Sequence, residues 1–473
     1  MNVPTRGYRV LFFAMVSLVP TAMLSAQSIH LPPHEKIVLK NGLTVLLLEK
    51  RGVPIVDIAA LIKTGSAADP AGEEGLASIT AELLRKGTEK RSAQQFSADL
   101  DFIGGSFEAA AGADFSTASG EFLTKDIARG LDLFSDSLLH PAFPQTEVEK
   151  LLAQSLDSVR AAKDDARSVL GIYYDDYLFN GVGYGRTSDG DEISLKRIRR
   201  DEIAKFYEKY YAPGNIILAV AGNFQSVEMK QLIEKVFDPW PAKQVVPVKI
   251  PVVASVKGKR LLLVDKPDAT QTYFAIGNVG TSVSDPDRVA IRLVNTVFGG
   301  RFTSLLNEAL RVESGLSYGA ESGFDSRKAP GPFAIYSFTK NETTVQAIDL
   351  ALQVLQKLHQ QGISAEELKS AKTYIKGQYP PALETSKQLA QLIASHEFYG
   401  LDDREINDLE ARIDAVTPAI ALQAIQKHFP TDNLIFTLIG KSSEIAPAVR
   451  KYADKQDLRL LTAPGFWPPP AEK

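Results

Sequence analysis

The 473-residue chain contains no cysteine. Disulfides, thiol nucleophiles and cysteine-bound metals are therefore excluded, and stability has to come from core burial. Histidine is scarce too, with six residues at 30, 34, 140, 359, 396 and 428. No two of them flank a glutamate at metal-ligand spacing. Only His30 and His34 lie four apart, in a proline-containing stretch with no helix to align them, so the chain does not assemble a zinc site by itself. There is no G-x-S-x-G elbow, no phosphate-binding P-loop and no G-x-G-x-x-G after a strand. Gly181-Val182-Gly183-Tyr184-Gly185 is glycine-rich but runs into Arg-Thr-Ser-Asp-Gly, which predicts a loop. Charge of one sign is also missing: 53 basic residues stand against 57 acidic ones. That mild balance argues against a nucleic-acid binder or a polybasic membrane-surface protein.

What is present is a globular composition, 44% apolar and 23% charged, in a chain long enough for more than one core. Arg6 and Arg9, the apolar run at 10–19 and the exit Leu24-Ser25-Ala26 form a signal-peptide pattern over 1–26, with cleavage expected after Ala26. Pro20 interrupts the run, which disfavours a permanent transmembrane helix. The expected mature protein is exported, periplasmic in a Gram-negative cell, and not embedded in the membrane.

Periodicity predicts a mixture of strands and helices. Asn41-Gly42 between two apolar runs predicts a hairpin, 56–64 a buried strand, and 74–86 a helix. Further helices are expected at 92–103, 125–140, 147–163, 168–180 and 203–210, with an alternating strand at 106–119 and a buried one at 215–221. Residues 239–256 carry four prolines without helical period and predict a linker. Strands then restart at 260–264 and 272–278, and helices recur at 285–298, 344–361, 365–376, 386–396 and 418–428 before a strand at 433–439. The string at 198–223 matches 416–441 at an offset of 218, placing Asn215 on Asn433 and Gly222 on Gly440, and 147–160 lies over 365–378 at the same offset. Two copies imply a duplicated α+β architecture. The expected layout is two homologous α/β domains, at 28–238 and 257–460, each a mostly antiparallel sheet with helices packed on it. The linker joins them and 461–473 forms a tail.

Within the second copy, 302–324 predicts a short amphipathic helix stopped at Gly315, then a strand opening at Leu316. That arrangement brings Arg311, at a helix end, close to Tyr318, on the next strand. On residue types alone, an arginine complementing a helix dipole and an ordinary strand tyrosine account for the pair equally well.

The order of elements and several strings resemble the M16 family of metallopeptidases, the pitrilysin and processing-peptidase clan. The carriers are 75–88 with Gly75, Ala77, Lys86, Gly87 and Thr88; Asn41-Gly42-Leu43-Thr44-Val45; Gly104-Gly105-Ser106-Phe107; His140-Pro141-x-Phe143; Glu147-x-Glu149; Tyr184-Gly185-Arg186; and Tyr210-Tyr211-Ala212-Pro213-x-Asn215. The resemblance implies that 75–88 lies over the family's zinc helix, Gly-x-Ala-His-x-x-Glu-His. The two zinc histidines fall on Ser78 and Glu82, the catalytic glutamate on Ala81 and the third ligand near Asp157. It implies no metal bound by this chain. It also implies that Leu310-Arg311-x-x-x-Gly315-Leu316-x-Tyr318 is the family's Arg/Tyr motif, which completes an active site from the opposite half. By resemblance, this is then the non-zinc-binding subunit of a heteromeric zinc peptidase and half of a clamshell. Its expected partner is an M16 subunit carrying His-x-x-Glu-His and zinc. The ligand is a peptide, with Gly104, Gly105, Ser106 and Phe107 on an edge strand as substrate-binding candidates. The alternative is a catalytically inert peptide-binding or assembly subunit with the same fold.

Overall fold

In the computed structural model, residues 30–466 are described. The expected signal peptide and its cleavage point after Ala26 lie outside the described residues. Asn41 and Gly42 make the first turn. Gly42 takes φ 92°, a left-handed conformation glycine adopts without strain, and the Asn41 amide donates to the carbonyls of Phe237 (2.7 Å) and Trp240 (3.0 Å). The turn pairs β1 (Glu35–Val38) with β2 (Thr44–Glu49) antiparallel.

The first sheet is completed by β3 (Ile55–Ile62), β4 (Ser106–Ala111), β5 (Ser116–Leu123) and β6 (Ile216–Gly222), in the spatial order β1-β2-β6-β3-β5-β4. The second contains β7 (Arg260–Asp265), β8 (Gln271–Val279), β9 (Ala320–Phe324), β10 (Pro332–Lys340), β11 (Ile435–Gly440) and β12 (Lys455–Leu460), ordered β12-β7-β11-β8-β10-β9. The order 2-6-3-5-4 is thus repeated as 7-11-8-10-9. Each sheet pairs its equivalent strands parallel, β2 with β6 and β7 with β11, and antiparallel on the far side; the edges differ, since β1 joins β2 antiparallel and β12 joins β7 parallel. The fold is α+β, with two mostly antiparallel sheets and helices packed around them.

Two strands depart from expectation. The single alternating strand foreseen over 106–119 is two, because Gly112 donates back to the Phe115 carbonyl (2.8 Å) and turns the chain between β4 and β5. The edge strand β12 has a weak alternating pattern, and it follows Tyr452 and Ala453 where no strand was expected.

Every residue of β6 and of β11 is buried. Strands that are apolar on both sides need both faces of their sheet covered. Each half covers one face with its own helices and takes the other cover from its partner half. Helix Ala166–Phe179, from the first half, packs on β8 and β11; helix Ser386–Tyr399, from the second, packs on β3 and β6. Tyr174 donates to the Phe333 carbonyl (2.7 Å), and Tyr177 to Asp457 Oδ2 (2.6 Å), across the junction. The linker is irregular, yet Val245, Val248, Ile250, Val253 and Val256 lie against the core. The stretch expected to be a tail is, through Phe466, folded onto the first half: Leu461 and Phe466 are buried. No helix among the described residues is long and apolar enough to cross a membrane.

Candidate functional site

Ser304 accepts the Asn307 N–H and starts a helix that runs as Leu305–Asn307 and then widens into a π-helix, Glu308–Glu313. The widening is visible where the Ser314 N–H reaches back five residues to the Ala309 carbonyl (3.1 Å). Arg311 sits in this wide turn, exposed. Gly315, at φ 64°, reverses the chain, and the Ser317 N–H returns to the Leu310 carbonyl (3.0 Å). Tyr318 is therefore in a loop. The strand expected from Leu316 begins only at Ala320, because Ser317 and Gly319 bond to each other and not to a neighbouring strand: the Gly319 N–H donates to Ser317 Oγ (3.1 Å), which donates to the Gly319 carbonyl (2.8 Å). β10 ties this loop down. Ser337 Oγ donates to the Gly319 carbonyl (2.9 Å) and Thr339 Oγ1 to the Leu316 carbonyl (2.7 Å). On this anchored loop the Tyr318 side chain is 80% exposed.

The Arg311 guanidinium lies 4.6 Å from the centroid of the Phe302 ring, and among the described residues no hydrogen bond or ion pair engages it. Arg311 and Tyr318 line one cleft of about 910 Å³ whose lining also includes Arg167 and Gly171 of the first half, so the pair borders a groove between the halves. Its donors, guanidinium N–H groups and a phenol, are suited to a carbonyl oxygen or an oxyanion.

In the first half, the helix Leu76–Leu83 carries Ser78, Ala81 and Glu82. Asp69 fixes its start, accepting the N–H groups of Gly75 (2.8 Å) and Ala77 (2.9 Å). Ser78, Glu82 and Asp157, from helix Gln145–Ala162, line a second cleft of about 740 Å³, while Ala81 is fully buried and does not reach it. Of the four positions the resemblance brings together, Ser78, Glu82 and Asp157 thus border one cleft and Ala81 does not. Burial pushes the Glu82 carboxyl up, against the pull of Arg85, with Asp189 adding to the rise. Zinc accepts a carboxylate beside imidazole or thiolate ligands, but a hydroxyl, a methyl and two carboxylates bring neither and do not fit it. The one trio of potential ligands among the described residues is elsewhere, at Asp285, Asp287 and His428. There Asp287 already accepts from Lys427 (2.7 Å) and pairs with His428 (2.9 Å), and Asp285 accepts from Thr281 (2.7 Å).

Sequence reasoning missed what closes this second cleft. Phe466 lines it, packed edge-on against Tyr173 with ring centroids 5.1 Å apart. Lys163, buried, pairs with Glu192 (2.6 Å) and also donates to the carbonyls of Ala463 (2.9 Å) and Gly465 (3.3 Å); Glu192 in turn accepts the Gly465 N–H (2.8 Å). The apolar pair Leu461 and Phe466 bracketing Ala-Pro-Gly was the available signal.

β4 is an edge strand of its sheet. Ser106 is exposed, but the Phe107 ring is buried 5.6 Å from both Phe96 and Phe134, so it offers nothing but backbone to a ligand. Gly104 takes φ 61°, and a Cβ at Gly105 would lie 2.9 Å from the Phe122 ring.

Residues 44–175 match the family described as Insulinase (Peptidase family M16), and residues 197–375 match the Peptidase M16 inactive domain. The chain belongs to peptidase family M16. An uncharacterized zinc protease of Rickettsia bellii is 26% identical over 411 residues, covering 86% of this M16 chain and 96% of its own length. The uncharacterized zinc protease YmxG of Bacillus subtilis is 22% identical over 407 residues, covering 86% and 98%. Among solved structures, a peptidase M16 inactive domain from Pseudomonas fluorescens superposes with a TM-score of 0.81 at 24% identity, over 86% of this chain and 98% of that one. A protease from Helicobacter pylori gives 0.80 at 20%, over 87% and 100%. At these identities the superpositions establish the fold. Both candidate sites of this M16 chain lie inside the matched segments, the helix of Ser78 in the first and the Arg311/Tyr318 loop in the second.

Proposed function

We propose that this M16 chain is the non-zinc-binding subunit of a heteromeric M16-type peptidase, and that it presents Arg311 and Tyr318 to the active site of a partner carrying His-x-x-Glu-His. The observation that carries the reading is one contrast. The first-half helix has no zinc-ligand set at Ser78, Ala81 and Glu82, while the second half keeps Arg311 exposed in a π-helical turn and Tyr318 exposed on the loop anchored by Ser337 and Thr339. A side chain held exposed by its surroundings, with its donors unspent, is organised for something outside the chain.

In this reading the partner's zinc supplies the hydrolytic chemistry. This chain contributes two hydrogen-bond donors for the scissile carbonyl and for the negative charge that develops on its oxygen. Ser106 opens the edge strand β4, whose outer side offers backbone groups to an extended peptide, while the N–H groups of Gly104 and Gly105 are spent on the carbonyls of Asp101 (3.1 Å) and Leu100 (2.9 Å). The Arg6/Arg9 and apolar leader pattern supports an exported, periplasmic site of action. The test is to mix the chain with an M16 subunit that carries the zinc motif and to follow peptide cleavage with Arg311→Ala and Tyr318→Phe. Lost turnover with an intact complex supports the reading; unchanged turnover leaves an assembly or peptide-binding role in its place.

A further inference from the structure

The cleft holding Arg311 and Tyr318 is uneven in charge. Its cationic lining residues are Arg167, Arg301 and Arg311, and its one anionic lining residue is Glu321, in a chain whose formal charge is -4. Elsewhere arginines are matched with acids: Arg91 with Asp136 at 2.5 Å, Arg404 with Asp402 at 2.6 Å, Arg412 with Glu405 at 2.5 Å. In the cleft they are not. Arg167 and Arg311 are exposed without an ion pair among the described residues, and Arg301 donates to a hydroxyl, Ser370 Oγ (2.9 Å). Asp165, two residues before Arg167, has its oxygens engaged by the Arg167 N–H (3.1 Å) and the Ser168 hydroxyl (2.7 Å). Three arginines against Glu321 and the neighbouring Asp165, which feels the Arg167 charge, leave an excess of positive charge that raises the local potential and draws an anionic ligand.

The floor of the cleft decides how such a ligand is held. β9 is an edge strand, yet three of its outward backbone groups are already used: the Ser322 N–H donates to Gly299 (3.2 Å), the Ser322 carbonyl accepts from Asn295 (2.9 Å), and the Ala320 N–H donates to Asn307 Oδ1 (3.3 Å). A peptide here cannot add as a further strand on β9. It is read by side chains, and those are guanidinium groups beside the stacked rings of Tyr273 and Phe338, 5.2 Å apart. We infer that the cleft selects peptide segments bearing Asp or Glu side chains. The inference rests on the cleft being the peptide-handling face.

The test uses the full mature chain and three labelled peptides of one length, rich in Glu, in Gln or in Lys, followed by fluorescence anisotropy at low and high salt. The Glu peptide is expected to bind about tenfold tighter than the Gln peptide at low salt, with the margin shrinking as salt screens it. Arg167→Gln is expected to reduce that preference about threefold and Glu321→Gln to increase it, since both positions are exposed and neither change removes a buried contact. Equal binding of the three peptides, no binding of the Glu peptide, or a preference that neither variant alters overturns the inference. The catalytic reading is decided separately, by turnover of the Arg311 and Tyr318 variants with a zinc-bearing partner.

Discussion

Ser337 Oγ lies 3.1 Å from Ser317 Oγ, and through this contact a central residue of β10 holds the loop that displays Tyr318. Ser337 is itself buried, and its hydroxyl reaches the Gly319 carbonyl as well. Removing it loosens the loop, which Thr339 still holds at Leu316, without touching the tyrosine. Ser337→Ala is expected to cost about 1 kcal/mol of stability, the worth of an ordinary hydrogen bond. The larger expected effect is on turnover in a reconstituted complex, lowered about tenfold because the donor loses its fixed position. Chemical denaturation and steady-state kinetics on one preparation separate the two.

The clasp between Lys163 and Glu192 gives a stability prediction. Both side chains are nearly buried, at 7% and 10% exposure. Lys163→Met leaves Glu192 buried without its cation, and the expected loss is about 3 kcal/mol in urea unfolding. Burial alone would raise the Glu192 carboxyl, but the hydrogen bonds from Lys163 and the Gly465 N–H outweigh it and hold the group below the usual glutamate range. A depressed carboxyl contributes stability above its unfolded value, about 4.3, and that contribution is lost as pH falls through the lower folded value. Hydrogen exchange over 461–466 is therefore expected to accelerate below pH ~4, and to be fast at every pH in Lys163→Met.

Asp57 supplies the opposite sign. It sits buried in β3, directly across from Glu121 of β5, with Oδ1 unpartnered among the described residues. Burial first, and then Glu121, push its carboxyl up to about 6. The folded state then holds a proton that the unfolded chain releases near 3.9, so stability declines as pH rises from about 4 to 6 and stays lower above. Asp57→Asn is expected to stabilise the protein by about 1 to 2 kcal/mol at pH 8 and by almost nothing at pH 3, measured by urea titration at both.

The metal prediction concerns the first-half cleft. After dialysis against zinc, the chain is expected to retain well under one equivalent, and Glu82→Ala is expected to change nothing, since Ser78, Glu82 and Asp157 bring no imidazole. Stoichiometric zinc that disappears in Glu82→Ala contradicts this.

Much of this was legible in the sequence because it was local. The Asn41-Gly42 hairpin, the buried strand expected at 215–221 and found at 216–222, and the offset repeat all follow from periodicity and turn chemistry. The repeat proved sound at the level of sheet order, with β6 and β11 in equivalent places. What escaped depends on distant partners. Tyr318 had a strand's residue type, and the bonds between Ser317 and Gly319, with those from Ser337 and Thr339, make its surroundings a loop. Phe107 had the look of a ligand contact, and its burial against Phe96 and Phe134 is tertiary. The exchange of helices Ala166–Phe179 and Ser386–Tyr399 between halves has no local signature, and for 461–466 the apolar Leu461 and Phe466 signalled burial without naming Lys163 and Glu192 as the place of docking.

The central claim is tested most directly by single-turnover peptide cleavage in a complex of this chain with a zinc-bearing M16 subunit, comparing wild type with Arg311→Ala, Tyr318→Phe and the double variant. The expected result is a loss of about 100-fold or more for each single variant, with complex formation and the partner's zinc content unchanged. The double variant is expected to lose less than the product of the singles, because the two donors serve one oxygen. Cleavage rates that stay at the wild-type value in all three variants contradict the account.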